Sequence, residues 1–169
     1  MIRHFIILCF VLLSVNSFAQ KDQTPEITTY YFIRHAEKDR SNPSEKDAHL
    51  TEEGHKRAKN WSEILQHIPF DAIYSTDYNR TKETGLPTAA KKGIDIITYK
   101  VSTSYDEAFK TATKGKTVLV IGHSNTIPDF VNAVIGSKKY EEIDDTNNGN
   151  LYIVTIVGKI ITDQVLTIN

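Results

Sequence analysis

Apolar runs and amphipathic stretches alternate along this chain, with polar turns between them. The apolar, β-branched runs predict strands, and the stretches with helical periodicity predict helices. The expected order is strand 27–34, helix 51–67, strand 70–75, helix 78–92, strand 94–101, helix 105–113, strand 117–122, helix 126–136, strand 150–157 and strand 160–167. This alternation favours an α/β fold, a three-layer sandwich whose mainly parallel central sheet carries helices on both faces. The last two strands, joined through Gly158-Lys159, predict a hairpin and therefore an antiparallel edge.

The first apolar run ends abruptly in Arg34-His35-Ala36-Glu37-Lys38. This pattern predicts a buried strand that brings Arg34 and His35 to the carboxyl-terminal rim of the sheet, where open α/β sheets bind ligands. A guanidinium binds phosphoryl oxygens bidentately, and an imidazole can attack phosphorus. An isolated Arg-His pair is more typical of a capped strand end with two solvated polar residues, so this pair alone does not establish a site.

Two later strand ends carry side chains of the same kinds. Arg80 follows the predicted strand 70–75 in the first turn of a helix, where free backbone N–H groups also favour an anion. His123 follows Gly122 at the end of the apolar strand 117–122. Because the carboxyl ends of parallel strands meet at one edge of a sheet, we expect the two arginines and the two histidines to converge there.

With these residues the chain resembles the histidine phosphatase superfamily, which has the phosphoglycerate mutase-like fold, and specifically its short bacterial branch. The resemblance extends from about residue 27 to the C-terminus. The matching residues are Arg34-His35-Ala36, the block Tyr74-Ser75-Thr76…Arg80-Thr81…Thr84, and Gly122-His123-Ser124-Asn125-Thr126.

This resemblance implies a role for each residue of the site. His35 would be the nucleophile that becomes phosphorylated, while Arg34, Arg80 and His123 would bind the phosphoryl oxygens, with Ser124 beside them. Two positions depart from the pattern of other branches. Ala36 replaces the glycine that is common in the mutase branch, and Ser124 stands where phytase-like members have a proton-donating aspartate.

The activity that follows from the resemblance is a metal-independent phosphatase, which hydrolyses phosphate monoesters through a phosphohistidine intermediate. A phosphohistidine protein phosphatase, a phosphoglycerate mutase-like phosphotransferase and a noncatalytic phospho-ligand-binding protein remain alternatives. We expect no cofactor and no metal ion, since the chain has no His-x-His, no His-Glu-x-x-His and no carboxylate cluster with ligand spacing. The expected partner is a small phosphorylated substrate or a phosphoprotein.

A general acid for the leaving oxygen is harder to identify. Asp106 and Glu107 follow the third predicted strand and are candidates, but Ser104-Tyr105-Asp106-Glu107 is more typical of a helix N-cap with acids in its first turn. Three other histidines are expected to be solvated, although the loop that carries His49 could overhang the pocket; these are His49, His55 and His67.

The N-terminus has the pattern of a cleavable signal peptide. A short basic start precedes an apolar core at 5–15, and Ser17-Phe18-Ala19 supplies the small residues expected before a cleavage point. We therefore expect a signal peptide at 1–19, a tether at 20–26 and a single histidine phosphatase-like domain at 27–169. A periplasmic or secreted bacterial location follows, with no stable membrane association after cleavage. The formal net charge of −1 argues against nucleic acid as a partner.

Overall fold

The computed structural model describes residues 25–168. The predicted signal peptide, nearly all of the predicted tether and the last residue lie outside this range, so both segments and the expected export stay predictions. None of the helices within 25–168 has the length and apolar character needed to cross a membrane.

Six strands and four helices follow one another in the predicted order. The strands are β1 Ile27–Arg34, β2 Ala72–Ser75, β3 Ile96–Thr98, β4 Thr117–Gly122, β5 Asn150–Val157 and β6 Ile160–Thr167. The helices are α1 Glu52–Ile64, α2 Asn79–Lys92, α3 Glu107–Thr113 and α4 Thr126–Ile135.

The strands form one mixed sheet in the order β3-β2-β4-β1-β5-β6. Neighbours among β1, β2, β3 and β4 are parallel, whereas β5 pairs antiparallel with both β1 and β6. The predicted α/β fold with a mainly parallel sheet and an antiparallel edge is therefore confirmed.

Helices cover both faces of this sheet, because alternate residues of the central strands are apolar on both sides. On one face, Tyr30 and Phe32 of β1 pack with Phe109 of α3 and Phe130 of α4. On the other face, Ile33 of β1 belongs to a core cluster with apolar side chains of α1 and α2. The predicted three-layer arrangement is confirmed.

The order of the strands creates a crevice between β1 and β4. These two strands are adjacent and parallel, with Arg34 in register with Gly122. After β1 the chain continues to α1 on one face of the sheet, and after β4 it continues to α4 on the other face. The carboxyl ends of β1 and β4 therefore form a topological switch point. Open α/β sheets bind their ligands at such points. His35 and His123 each follow one of these strand ends.

The element ends differ from prediction mainly at β3 and at the helix termini. The sequence predicts a strand over 94–101, but β3 has only three residues. Within the described sheet it is an edge strand that pairs with β2, and β2 itself has only four residues. A 3-10 turn at Val101–Thr103 follows β3. Helix α1 starts one residue later than predicted, since Thr51 is its N-cap and accepts a hydrogen bond from the Gly54 N–H.

Candidate active site

His35 is held in one orientation at the end of β1. Its side chain is buried, and its backbone N–H donates to the carbonyl of Gly122 on β4 (2.9 Å). The ring Nδ1 lies 2.7 Å from the carbonyl of Ala36, and because a carbonyl can only accept, Nδ1 carries the proton. The neutral ring therefore has its lone pair on Nε2, the nitrogen available for nucleophilic attack.

The surroundings keep this imidazole neutral. Burial is the largest cause that lowers the pKa of His35, to about 3, and the charges of His123, Arg34 and Arg80 add to the effect. The sequence suggested that like-charge repulsion from the arginines would lower this pKa. The structure shows that desolvation contributes more, because the strand end is deeper than its polar sequence indicates.

Arg34 is buried and oriented by the loop before β5. Its Nη1 donates to the carbonyls of Asp144 (2.8 Å) and Asn147 (3.0 Å), and its Nη2 donates to the carboxylate of Asp145 (2.7 Å). Its Nε is buried and has no hydrogen-bond partner within residues 25–168. An unpaired buried donor costs about 1–3 kcal/mol, and a ligand oxygen that accepted from this N–H would remove that cost.

Arg80 occupies the first turn of α2, as predicted. Its guanidinium carbon lies 4.3 Å from the ring centroid of Tyr78, which fixes the plane of the guanidinium by a cation–π contact. Nη1 donates to the carbonyl of Lys46 (3.3 Å) and lies 4.0 Å from the carboxylate of Asp47. Like Arg34, Arg80 has a buried Nε that lacks a partner in the described part of the chain.

His123 is oriented by two threonine hydroxyls. The single proton of the Thr81 hydroxyl goes to the carbonyl of Thr76 or Tyr78 (2.9 Å each), so its oxygen accepts from the Thr76 hydroxyl (3.1 Å). The Thr76 oxygen must then accept from Nε2–H of His123 (2.9 Å).

This arrangement leaves Nδ1 of a neutral His123 as an acceptor, so the neutral ring cannot donate to a phosphoryl oxygen through that atom. Burial is the main cause that lowers the pKa of His123, to about 4, followed by the charges of Arg80, Lys38 and Arg34. The ring centroids of His35 and His123 are 5.4 Å apart. Donation from Nδ1 to a phosphoryl oxygen requires a protonated ring, which the negative charge of that group favours.

The segment after His35 is fixed by contacts that the sequence did not predict. The N–H of Ala36 donates to the Thr84 hydroxyl (2.9 Å), which in turn donates to the carbonyl of Arg80 (2.7 Å). The Asn148 side chain donates to the carbonyl of His35 (2.7 Å). Thr84 stands in the motif block quoted above, whereas nothing in the local sequence marks Asn148.

Three of the other predicted site residues make contacts of their own. The Ser124 hydroxyl donates to the Glu142 carboxylate (3.1 Å), so a role in substrate binding stays a prediction. The Asp106 carboxylate accepts from the N–H of Phe109 (2.8 Å), so Asp106 is itself the N-cap of α3, and the helix starts two residues later than predicted with only Glu107 as an acid in its first turn. Glu107 is exposed and pairs with a lysine one turn along the same helix.

The remaining histidines of residues 25–168 lie on or near α1. His49 pairs with Glu83 and lines a depression of about 340 Å³ that also contains Asn79, the neighbour of Arg80. His55 and His67 are exposed, as expected. Within residues 25–168, no three or more His, Cys, Asp or Glu side chains are grouped so that they could hold a metal ion.

The site thus combines a neutral, buried imidazole with fixed positive charge. Phosphoryl transfer requires mainly positioning and cationic groups around the three equatorial oxygens. Two guanidinium groups provide charges that do not titrate, and each has an unpaired buried Nε–H.

Comparison with known proteins gives the same family. The family model described as "Histidine phosphatase superfamily (branch 1)" matches residues 30–101, which include Arg34, His35 and Arg80. No curated protein sequence matches the chain.

Solved structures share the fold at low sequence identity. SixA from Agrobacterium tumefaciens, described as a candidate phosphohistidine phosphatase, is 20% identical, with a TM-score of 0.63, and the match covers 83% of this chain and 99% of that one. A phosphoglycerate mutase from Bacillus anthracis is 16% identical, with a TM-score of 0.64 over 85% and 94% of the two chains. A protein histidine phosphatase SixA complexed with tungstate is 15% identical, with a TM-score of 0.64 over 82% and 96%. The family model over residues 30–101 and the shared fold agree with the strand-end motifs, and the resemblance to the histidine phosphatase superfamily is therefore confirmed.

Proposed function

We propose that this protein is a phosphatase that hydrolyses phosphate monoesters without a metal ion, through a phosphohistidine intermediate on His35. One observation carries the proposal: a buried, neutral His35 with its proton fixed on Nδ1 lies beside two guanidinium groups whose buried Nε–H donors are unpaired in the described part of the chain. A protein histidine phosphatase SixA with the same fold was solved in complex with tungstate, a tetrahedral oxyanion like phosphate, and this supports oxyanion binding by proteins of this fold.

The reaction has two steps. First, Nε2 of His35 attacks phosphorus, an N–P bond forms and the P–O bond to the leaving group breaks, so the departing alkoxide takes up a proton. Water then attacks the phosphohistidine, the N–P bond breaks, and inorganic phosphate leaves as the proton of the water is released. Arg34 and Arg80 stabilise the charge of the equatorial oxygens in both steps.

Water is the acceptor that we favour over a second substrate molecule. A mutase must hold its product for return transfer and close over it, whereas this chain is short and lacks the long insertions that such closure needs. A phosphoglycerate mutase and phosphatases are both among the structural neighbours, so the fold itself is compatible with either acceptor.

The test is the variant His35→Ala, assayed with a panel of phosphate esters, including a phosphohistidine peptide, in buffer with EDTA. We expect the rate to fall by several orders of magnitude, because the covalent nucleophile is lost, while the circular dichroism spectrum is unchanged. The matched control His67→Ala removes an exposed imidazole and should retain wild-type turnover. Rapid quenching of wild-type protein with ³²P-labelled substrate should trap an acid-labile phosphoenzyme that His35→Ala does not form.

Each alternative gives a different result in this assay. An active His35→Ala variant contradicts the intermediate, and activity that disappears with EDTA and returns with a divalent ion contradicts metal independence. Transfer of the label to an added alcohol rather than to water identifies a phosphotransferase. Tight phosphate binding without turnover by the wild type identifies a noncatalytic binding protein.

A further inference from the structure

We propose that Lys38 forms a second anion-binding subsite beside the phosphoryl site, which binds a second negatively charged group of the substrate, either a carboxylate or another phosphoryl group. This inference rests on the proposed function, since it describes which phosphorylated compounds the same site would accept.

The backbone holds Lys38 next to the nucleophile. Lys38 is three residues after His35 and forms an isolated antiparallel bridge with Leu50, so this part of the chain is fixed on both sides. Its half-buried side chain lines a cavity of about 310 Å³, which is also lined by His35, Glu37, Arg40, Asp145, Thr146 and Asn148. A group that occupies this cavity is therefore within reach of both the nucleophile and Lys38.

Two cationic side chains line this cavity, Lys38 and Arg40, and Lys38 is the one that has no carboxylate partner within residues 25–168. The Asp145 carboxylate accepts from both Arg34 (2.7 Å) and Arg40 (2.8 Å), so one negative charge serves two guanidinium groups. The carboxylate of Glu37 is engaged by Arg57 (2.7 Å). Within residues 25–168, no carboxylate lies within 4.0 Å of the Lys38 ammonium. Two of the four cations in and around the cavity, Lys38 and Arg40, line it, and the other two, Arg34 and Arg57, contact its carboxylates from outside the lining. Four cations thus share two carboxylates, and an anionic ligand would neutralise part of this excess.

The surroundings of Lys38 show the same excess. Burial lowers the pKa of Lys38, and the positive charges of Arg80 and Arg40 lower it further, opposed by the single charge of Asp145. Of these cations, Arg40 lines the same cavity as Lys38, and an anion that bound between Lys38 and Arg40 would relieve their mutual repulsion.

The position of Lys38 favours a second group over the transferring phosphoryl itself. Arg80 and His123 lie outside the lining of this cavity, whereas the half-exposed Arg40 is part of it. The cavity therefore extends from His35 toward Arg40 and the solvent, on a side that the phosphoryl-binding residues Arg80 and His123 do not line. A substituent of the leaving group would occupy this side.

The experiment compares two esters that differ by one charge. Phenyl phosphate and 4-carboxyphenyl phosphate are assayed with wild type, with Lys38→Gln and with the control Lys56→Gln, which removes an exposed lysine of α1. We expect Lys38→Gln to raise KM for the carboxylated ester roughly tenfold, because a charge-assisted hydrogen bond is lost, and to raise KM for phenyl phosphate by a much smaller factor. Lys56→Gln should behave as the wild type with both esters.

A second arm uses inorganic anions and does not depend on turnover. Isothermal calorimetry should show that pyrophosphate binds more tightly than phosphate, and that Lys38→Gln removes most of this difference. Equal affinities of the two anions for the wild type, together with equal KM values for the two esters, would overturn the subsite. An equal loss for both esters would also overturn it, since Lys38 would then serve the transferring phosphoryl. Absence of wild-type turnover would contradict the proposed function, and the calorimetric arm would still decide the subsite.

Discussion

At the scale of single residues, the orientation of His123 depends on a hydroxyl that never contacts the substrate in our proposal. The Thr76 oxygen is the acceptor for Nε2–H of His123 and is itself fixed by Thr81. Both threonines are buried, so water cannot easily take over either hydrogen bond. Thr76 is therefore a positioning residue, and its effect on catalysis passes through the imidazole ring.

We expect Thr76→Val, which keeps the shape of the side chain, to lower kcat by about 10²-fold, since a misplaced catalytic group costs roughly that factor. KM should change little, because both arginines remain in place. Steady-state kinetics provide the measurement, and Thr76→Ser should restore most of the rate because it returns the hydroxyl. Failure of Thr76→Ser to recover activity would indicate that packing of the threonine methyl group, and not the hydrogen bond, is what matters.

The sequence predicted the residues that follow strand ends and missed those that support them. Arg34, His35, Arg80 and His123 could be identified because each terminates or follows an apolar run, a pattern that is local in the chain. Asn148 contacts the backbone of a residue 113 positions away, and no local pattern encodes such a contact. Lys38 belonged to a recognised motif, but its lack of a counterion becomes visible only when the neighbouring arginines and carboxylates are placed.

At the scale of elements, α1 approaches the active-site segment more closely than a side chain would allow. A Cβ atom on Gly54 would lie 2.2 Å from the carbonyl oxygen of Glu37, two residues after His35. The absence of a side chain at Gly54 therefore lets the helix pack directly on the backbone that carries the nucleophile. Glycine usually weakens a helix interior, and only the folded structure shows why α1 carries one at this position.

Gly54→Ala tests this packing, because the close contact predicts that the variant is less stable than the wild type, whereas helix propensity alone predicts that it is more stable. In an exposed helix, alanine is more stable than glycine by roughly 0.5–1 kcal/mol. Here we expect the free energy of unfolding to decrease and kcat to fall, since the new methyl group must displace either α1 or Glu37. Urea denaturation and steady-state kinetics measure both effects. The neighbouring exposed Glu53→Ala is the control, and a Gly54→Ala variant that is more stable than the wild type would contradict the close contact.

Other element boundaries show where local patterns stop being informative. The start and end of β1, β4, β5 and β6 match the predicted strands, because their apolar runs coincide with their pairing. The short β3 does not, since the length of an edge strand depends on how far its neighbour extends. The apolar pattern of each strand also does not reveal which strands are neighbours, so the position of β4 between β1 and β2 could not be predicted.

At the scale of the whole molecule, folding transfers two imidazoles from water into a cationic interior. The pKa values of His35 and His123 are lowered to about 3 and about 4 in the folded protein. In an unfolded chain the pKa of a histidine is about 6.5. Below that value the unfolded state binds more protons than the folded state. Above the unfolded pKa of about 6.5, both states hold these histidines neutral, and the free energy of unfolding has its full value. As the pH falls below that value, protonation of the unfolded chain lowers the free energy of unfolding.

We expect the free energy of unfolding to decrease by about 2 kcal/mol per buried histidine between pH 7.5 and pH 5, as follows from the two shifts. Urea denaturation at both pH values measures the decrease. In His35→Gln this decrease should be smaller by about the contribution of one histidine. The same pH dependence in wild type and variant would show that His35 is not buried in its neutral form.

The place of β4 in the sheet also has a consequence for synthesis of the protein. β1 and β2 do not touch each other, because β4 is inserted between them, and β4 begins only at Thr117. A nascent chain that has just exposed α2 on the ribosome already contains Arg34, His35 and Arg80, yet it lacks the strand that sets their separation. The separation of Arg34 and Arg80 is therefore set only after β4 has emerged and paired with both strands, and the proposed phosphoryl site cannot form before that point.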